Sequence, residues 1–260
     1  MKTLTTAVGL LLLLVSPALA NKPAPNKVPR KQLGKTKTAT KPAARPVAAR
    51  KVASKKSVMT YGVFYKGKRV GYSVRTEIHN GSTIRVSTKT DFTVSFLYFF
   101  KTRVQSTGLN LYNSKGQLQS FRAVSTVRKR RMKIWGKRTK KGLLVHRQQG
   151  KAKTKSKTFA LKSFDRTSLD YKAVHHLKVT KKNLKRRLLM VAQQKIVPQE
   201  VSIAKFTAKS KPGQKLLKVN LFKVVIKTGK KSGFLVLAQD GRMVEANMGR
   251  KLRIRLEKIN

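Results

Sequence analysis

The chain has 260 residues, with 62 Lys and Arg against 8 Asp and Glu, a formal charge of +54 and no cysteine. That composition excludes a disulfide-stapled scaffold and any cysteine nucleophile or cysteine metal centre. A positive excess of this size opposes compaction through self-repulsion unless an anionic polymer or membrane surface offsets it, so such a surface is the expected partner; a basic bias common to the exported proteins of its cell is the alternative reading.

The first element is a secretory signal, Met1 to Ala20. Lys2 supplies the positive start, Ala7 to Val15 the apolar stretch and Ala18-Leu19-Ala20 the small-x-small cleavage site. The apolar run stops at Ser16-Pro17, short of the about 20 residues that a spanning helix needs. A periplasmic or secreted protein, soluble once cleaved near Ala20, is therefore expected. Asn21 to Ser57 follows with 12 Lys and Arg, 5 Pro and no acid. So little hydrophobicity with so much charge predicts a disordered arm, either a polycationic tether or a plain spacer.

From Val58 to Asn260 the texture changes to short runs of Val, Ile, Thr, Phe and Tyr broken by turn residues, which predicts a single β domain. The turns fall at Lys66-Gly67-Lys68, Asn80-Gly81, Asn113 to Gly116, Lys141-Gly142, Lys230 to Gly233 and Asp240-Gly241. Tight turns of this kind join antiparallel neighbours, so the order is that of a meander. Within it, "DFTVSFLYFF" (Asp91 to Phe100) puts Phe92, Val94, Phe96, Tyr98 and Phe100 on one face and is apolar on both faces in its second half. Such a strand lies in a core or lines a cavity for something greasy. At the other end of the chain, Leu252, Ile254 and Leu256 alternate with Arg253, Arg255 and Glu257, which predicts a strand with one wet face.

Two segments concentrate charge. "RKRRMKIWGKRTKK" surrounds Trp135 with nine basic residues, including Arg128, Lys129, Arg130, Arg131, Lys133, Lys137 and Arg138. Cations interleaved with apolar groups suit an anionic partner that also offers something to pack against, and an edge strand made basic to prevent pairing is the competing explanation. "KAKTKSKT" would align Lys151, Lys153, Lys155 and Lys157 in one row if it were a strand, and only pool their charge if it were a loop. Helix is expected between Ser163 and Gln194, capped at Ser163 or Asp165 and carrying Leu184, Leu188 and Val191 at helical spacing, with "RRLLMV" also able to open a strand and Pro198 ending either element.

Catalytic and metal-binding patterns are missing from the sequence. There is no Gly-rich phosphate loop and no G-x-S-x-G, and His79, His146, His175 and His176 form no pair at ligand spacing. The eight acids are scattered from Glu77 to Glu257. No cofactor, metal or enzymatic activity is expected.

Three stretches, "YGVFYKGKRVGYSVRTEIHNGSTIRVSTKTDFTV", "SFDRTSLD" and "FLVLAQDGRMVEANM", resemble exported bacterial proteins of an uncharacterised family built on one curved antiparallel sheet, similar in outline to the half-open barrels of periplasmic lipoprotein carriers. The resemblance implies a mainly β fold, a strongly curved half-barrel or clam-like sheet, to which the residues add one or two short helices. On such a sheet Phe92, Phe96, Tyr98 and Phe100 would line an apolar trough with a basic rim. The leading expectation is a non-enzymatic binding protein for an anionic lipid, glycolipid or lipidated partner. The alternative is a polyanion binder, for nucleic acid, acidic polysaccharide or cell wall, in which the aromatics are only core. An outer-membrane barrel is disfavoured because few strands carry the alternating apolar face that lipid requires.

Overall fold

The computed structural model describes residues 54–96, 100–114, 116–164, 183–204, 221–228, 231–238, 242–247 and 251–260. Fourteen strands form one antiparallel sheet: β1 (Lys55–Tyr65), β2 (Lys68–Asn80), β3 (Thr83–Phe96), β4 (Phe100–Asn113), β5 (Leu118–Val127), β6 (Arg130–Thr139), β7 (Gly142–Gln149), β8 (Lys155–Phe159), β9 (Leu184–Met190), β10 (Lys195–Ala204), β11 (Leu221–Thr228), β12 (Lys231–Ala238), β13 (Met243–Asn247) and β14 (Leu252–Ile259). The spatial order is β8 through β1, then β14 down to β9. Every neighbour is thus a sequence neighbour, except that β14 closes onto β1. The predicted meander holds, and so does the alternation of β14, whose Leu252, Ile254 and Leu256 are buried.

The sheet curls on itself without closing into a barrel. Phe92, Val94 and Val104 of β3 and β4 share a buried cluster with Val201, Val224, Leu235 and Ile254 of β10, β11, β12 and β14. Strands so far apart in the ladder can share a core only if the sheet is strongly curved. No ladder joins β8 to β9. Instead Gln194, in the turn between β9 and β10, donates from Nε2 to the carbonyls of Val145 (2.9 Å) and Lys155 (3.1 Å). Leu189 and Ala192 pack with Phe121, Ile134, Leu143, Val145 and Phe159 beneath that contact. The seam is therefore held by side chains where backbone pairing stops.

Turn chemistry explains most hairpins. Lys66 and Gly67 both have positive φ (50° and 82°), the conformation that matches the twist of the flanking strands. The turn Arg128-Lys129 was not foreseen, because Arg128 adopts φ 56° with no Gly or Asn to announce it. Its Nε donates to Thr102 Oγ1 at 3.1 Å and its backbone N–H to the Arg103 carbonyl, which supports the strained residue.

Three expectations change. Lys55, Lys56 and Ser57, assigned to the arm, open β1 opposite His79, Ile78 and Glu77; pairing orders them despite their charge. Of the two structures open to Leu184 to Val191, the strand forms in place of the helix: β9, followed by a 3-10 turn at Val191–Gln193, because an open sheet edge supplies a ladder that outweighs weak helical spacing. Among the described residues there is no α-helix, and the helix expected to start at Ser163 or Asp165 falls mainly on residues 165–182, outside them. Pro198 ends nothing: it sits inside β10 opposite Arg187, where pairing to β11 has not yet begun and its missing N–H breaks no second ladder. The signal and residues 21–53 also lie outside the described residues.

Candidate functional site

The aromatic stretch divides along the strand. Asp91 faces outward and accepts hydrogen bonds from Arg103 Nε (3.0 Å), Arg103 Nη2 (2.6 Å) and Gln105 Nε2 (2.9 Å). The Arg103 bond, against a smaller opposing effect of burial, holds its carboxyl below the usual range. Phe92 is 3% exposed and belongs to the main cluster. Phe96 pairs in register with Phe100 at the top of the hairpin, and Tyr98 lies outside the described residues.

The basic segment does not form an edge. β6 is paired along its length to β5 and to β7, so protection against edge pairing cannot explain its charge. Register sorts its residues by face. Trp135 lies opposite Arg122 and His146, on the face that Arg131, Lys133 and Lys137 share by alternation. Arg130 and Arg138 belong to the inner face, Arg138 opposite the buried Leu143. Arg128 and Lys129 make the turn. In the second segment, Lys155 and Lys157 do lie in one row on β8, whereas Lys151 and Lys153 precede the strand, so the four-lysine row is reduced to two.

Those two lysines lie on the inner face, beside Arg147 and Val145, so the predicted anion-binding set is split between faces; the outer face of β5 to β8 is a basic platform of Arg122, Arg131, Lys133 and Lys137 with rings at its centre. The Trp135 and His146 rings stack with centroids 5.2 Å apart and planes 20° from parallel. His146 Nδ1 lies 2.7 Å from Ser156 Oγ on β8, which fixes the imidazole's orientation. Trp135 is half-buried, with Lys133 and Lys137 on either side along the strand at steps of about 7 Å. A planar group can lie on such rings while its charge meets the lysines.

Inside the curve the sequence reading missed a buried polar tract. Arg75 and Glu77 of β2 form an ion pair with both side chains 5% exposed, and His79 Nε2 lies 3.6 Å from the second Glu77 oxygen. Burial pushes the Glu77 pKa up, but Arg75 and His79 outweigh it and hold the carboxyl below its ordinary range. Nearby, burial raises the Tyr61 hydroxyl to about 12, and its hydrogen bond goes to Met59 Sδ at 3.5 Å. The signal was present: Ser73, Arg75, Glu77 and His79 alternate with Tyr72, Val74, Thr76 and Ile78. Polarity suggests that the first set faces water, whereas the register places it inward, opposite Tyr61 and Met59. Among the described residues, no group of His, Cys, Asp and Glu could hold a metal ion.

The model of a domain of unknown function, DUF6134, matches residues 61–254. The chain belongs to the DUF6134 family. The match begins within β1 and ends within β14, so this DUF6134 domain is the whole curled sheet without the basic arm. In structure it is similar to the beta-barrel-like protein of domain of unknown function DUF1849 from Brucella abortus, with a TM-score of 0.58 and 12% identity over 79% of this chain and 97% of that one. At that identity the likeness shows the fold alone. No curated protein matches the sequence. Neither match is to a lipoprotein carrier, and what the DUF6134 fold shares with its neighbour is a barrel-like sheet.

Proposed function

We propose that the protein is a non-enzymatic, exported binder of an anionic polymer whose units carry rings, a nucleic acid or an acidic polysaccharide, held on the outer face of β5 to β8. One observation carries the reading. A strand paired on both sides presents Arg131, Lys133 and Lys137 around a half-buried tryptophan stacked on histidine. Charges on an interior strand have no part in blocking edge pairing. Stacking on aromatic side chains adds about 1–3 kcal/mol per base in proteins that hold single strands, and it tolerates any sequence because every base has a π-face.

The amphiphile reading, and the carrier outline that goes with it, needs apolar side chains facing unfilled space. Phe92 packs in the main core cluster and offers none. The polymer reading is therefore the better supported of the two.

Trp135 is the only tryptophan, so its fluorescence reports the platform directly. Titration with oligo(dT), polygalacturonate and polyglutamate separates the chemistries. Ring-bearing polymers should quench Trp135 saturably, and polyglutamate, anionic without rings, should bind more weakly and leave the emission almost unchanged. The double variant Lys133→Gln with Lys137→Gln should lower affinity for oligo(dT) and reduce the slope of log affinity against log salt by about 0.7 per lost phosphate contact. Equal quenching by polyglutamate, or no change in the double variant, would overturn the proposal.

A further inference from the structure

The interior of β2 to β8 repeats a polar pattern across the ladder. Ser73, Thr90, Ser106 and Ser125 stand opposite one another on four successive strands. Ser73 and Thr90 share a hydrogen bond of 2.7 Å. Ser106 and Ser125, 5% and 2% exposed, are different: neither Oγ has a partner. Buried hydroxyls in folded proteins are nearly always hydrogen-bonded, so two adjacent ones without partners require an explanation.

The next rung supplies the space. Gly108 stands opposite Ala123 on the same inner face, and a methyl group placed on Gly108 would touch nothing within 4 Å. Glycine in a strand interior gives up packing and entropy, and it often marks a place where a ligand approaches the backbone. The space over Gly108 and Ala123, both half-buried, lies between the serine rung and the rung of Val86, Asn110 and Phe121.

Charge decides what fits. On the rungs through Gly108 and Asn110, the inner face carries Arg75, already paired with the Glu77 carboxylate, and the half-buried Arg147, while Lys155 and Lys157 at the edge of the same face are exposed to solvent. Arg147 stands two strands from Ala123 on the Gly108 rung, a span of about 10 Å that its side chain largely bridges. Its Nε is buried without a partner. A water would satisfy the hydroxyls but would leave the Arg147 guanidinium without an anion.

We infer that the interior of the curled sheet binds a small oxyanion, a carboxylate or phosphoryl group, above Gly108 and Ala123, with Ser106 and Ser125 donating their hydroxyls and Arg147 supplying charge and an N–H. This site is separate from the outer platform and does not depend on it.

The test is calorimetric titration of the full chain with inorganic phosphate and, separately, acetate, at constant ionic strength balanced by chloride so that general screening of the charged surface cancels. Saturable binding at one site per chain is expected for at least one of the two, and the preferred anion distinguishes phosphoryl from carboxylate recognition. Ser106→Ala with Ser125→Ala should weaken it at least tenfold. This variant removes only hydroxyls that have no bond to lose, so it keeps its fold. Gly108→Val, which fills the gap and leaves both serines, should abolish binding, with its thermal midpoint measured alongside. Lys133→Gln with Lys137→Gln should leave it unchanged. Absence of saturable binding in the unmodified chain would show that the gap holds only water. Binding retained by the serine double variant, or lost in the outer-face variant, would equally overturn the inference.

Discussion

Replacing Glu77 with Gln asks whether the charged pair inside the sheet supports the fold. Both Arg75 and Glu77 are 5% exposed, so neither charge is solvated by bulk water. Removing one partner of a buried pair costs about 3–5 kcal/mol, because the other charge stays buried. Gln keeps the shape and can still accept a hydrogen bond from Arg75, which places the expected loss near the lower end, about 3 kcal/mol. Against a total stability of about 5–15 kcal/mol for a domain, that is a large fraction. With a urea slope of about 3 kcal/mol/M the midpoint should fall by about 1 M, read from Trp135 fluorescence. The second arm replaces both residues, Arg75→Met with Glu77→Leu, and should restore stability to the wild-type level or above it, since well-packed apolar pairs are often equal or better. The third arm is pH. The folded pKa of Glu77 is lowered, so its contribution is complete above the unfolded value of about 4.3 and is lost as pH falls through the folded value. The gap between wild type and Glu77→Gln should stay level above that value and narrow below it. A single variant within about 0.5 kcal/mol of wild type, or a double variant as unstable as the single, would refute this account of the pair.

Phe92→Ala should cost about 3–5 kcal/mol in denaturant titration, the loss of a large side chain from a dry core, and the unmodified protein should bind no fluorescent fatty acid at this position. Gly136→Ala should be more damaging than its size suggests, because a Cβ there runs into the Leu144 carbonyl and the Phe121 ring; a thermal midpoint within a degree of wild type would contradict that packing. Deleting residues 21–53 should leave the midpoint unchanged and weaken attachment to phosphatidylserine vesicles, by about 1 kcal/mol for each charge that no longer reaches the surface.

Hairpin order was readable from local chemistry, because Lys66-Gly67 and Asn80-Gly81 announce their turns without reference to the rest of the chain. The alternation of β14 was readable for the same reason. What could not be read depends on partners far away in sequence. The dense charge of β6 fitted a protected edge as well as an anion-binding strand, and only the ladders to β5 and β7 exclude the edge. β9 looked helical because Leu184, Leu188 and Val191 are spaced by three and four, and the edge of β10 supplied the competing structure. The inner polar tract was the least visible. Ser73, Arg75 and Glu77 have the composition of a solvated face, and their burial follows from a curvature that no local pattern encodes.

Positive charge has different roles at different places on this sheet. Some of it holds the acids: Arg69 with Glu257, Arg75 with Glu77, Arg103 with Asp91 and Arg255 with Glu245. Some of it sits on the two strands without an outer neighbour, as Lys155 and Lys157 on β8 and Lys185 and Arg187 on β9, where cations discourage a second sheet from docking. Lys133 and Lys137 belong to neither group. They make no ion pair among the described residues, and their strand has both neighbours in place. Structural needs account for the first two groups and leave the third without a partner in the chain. The ring between them, stacked and held through Ser156, gives that outstanding charge a defined place to receive an anion.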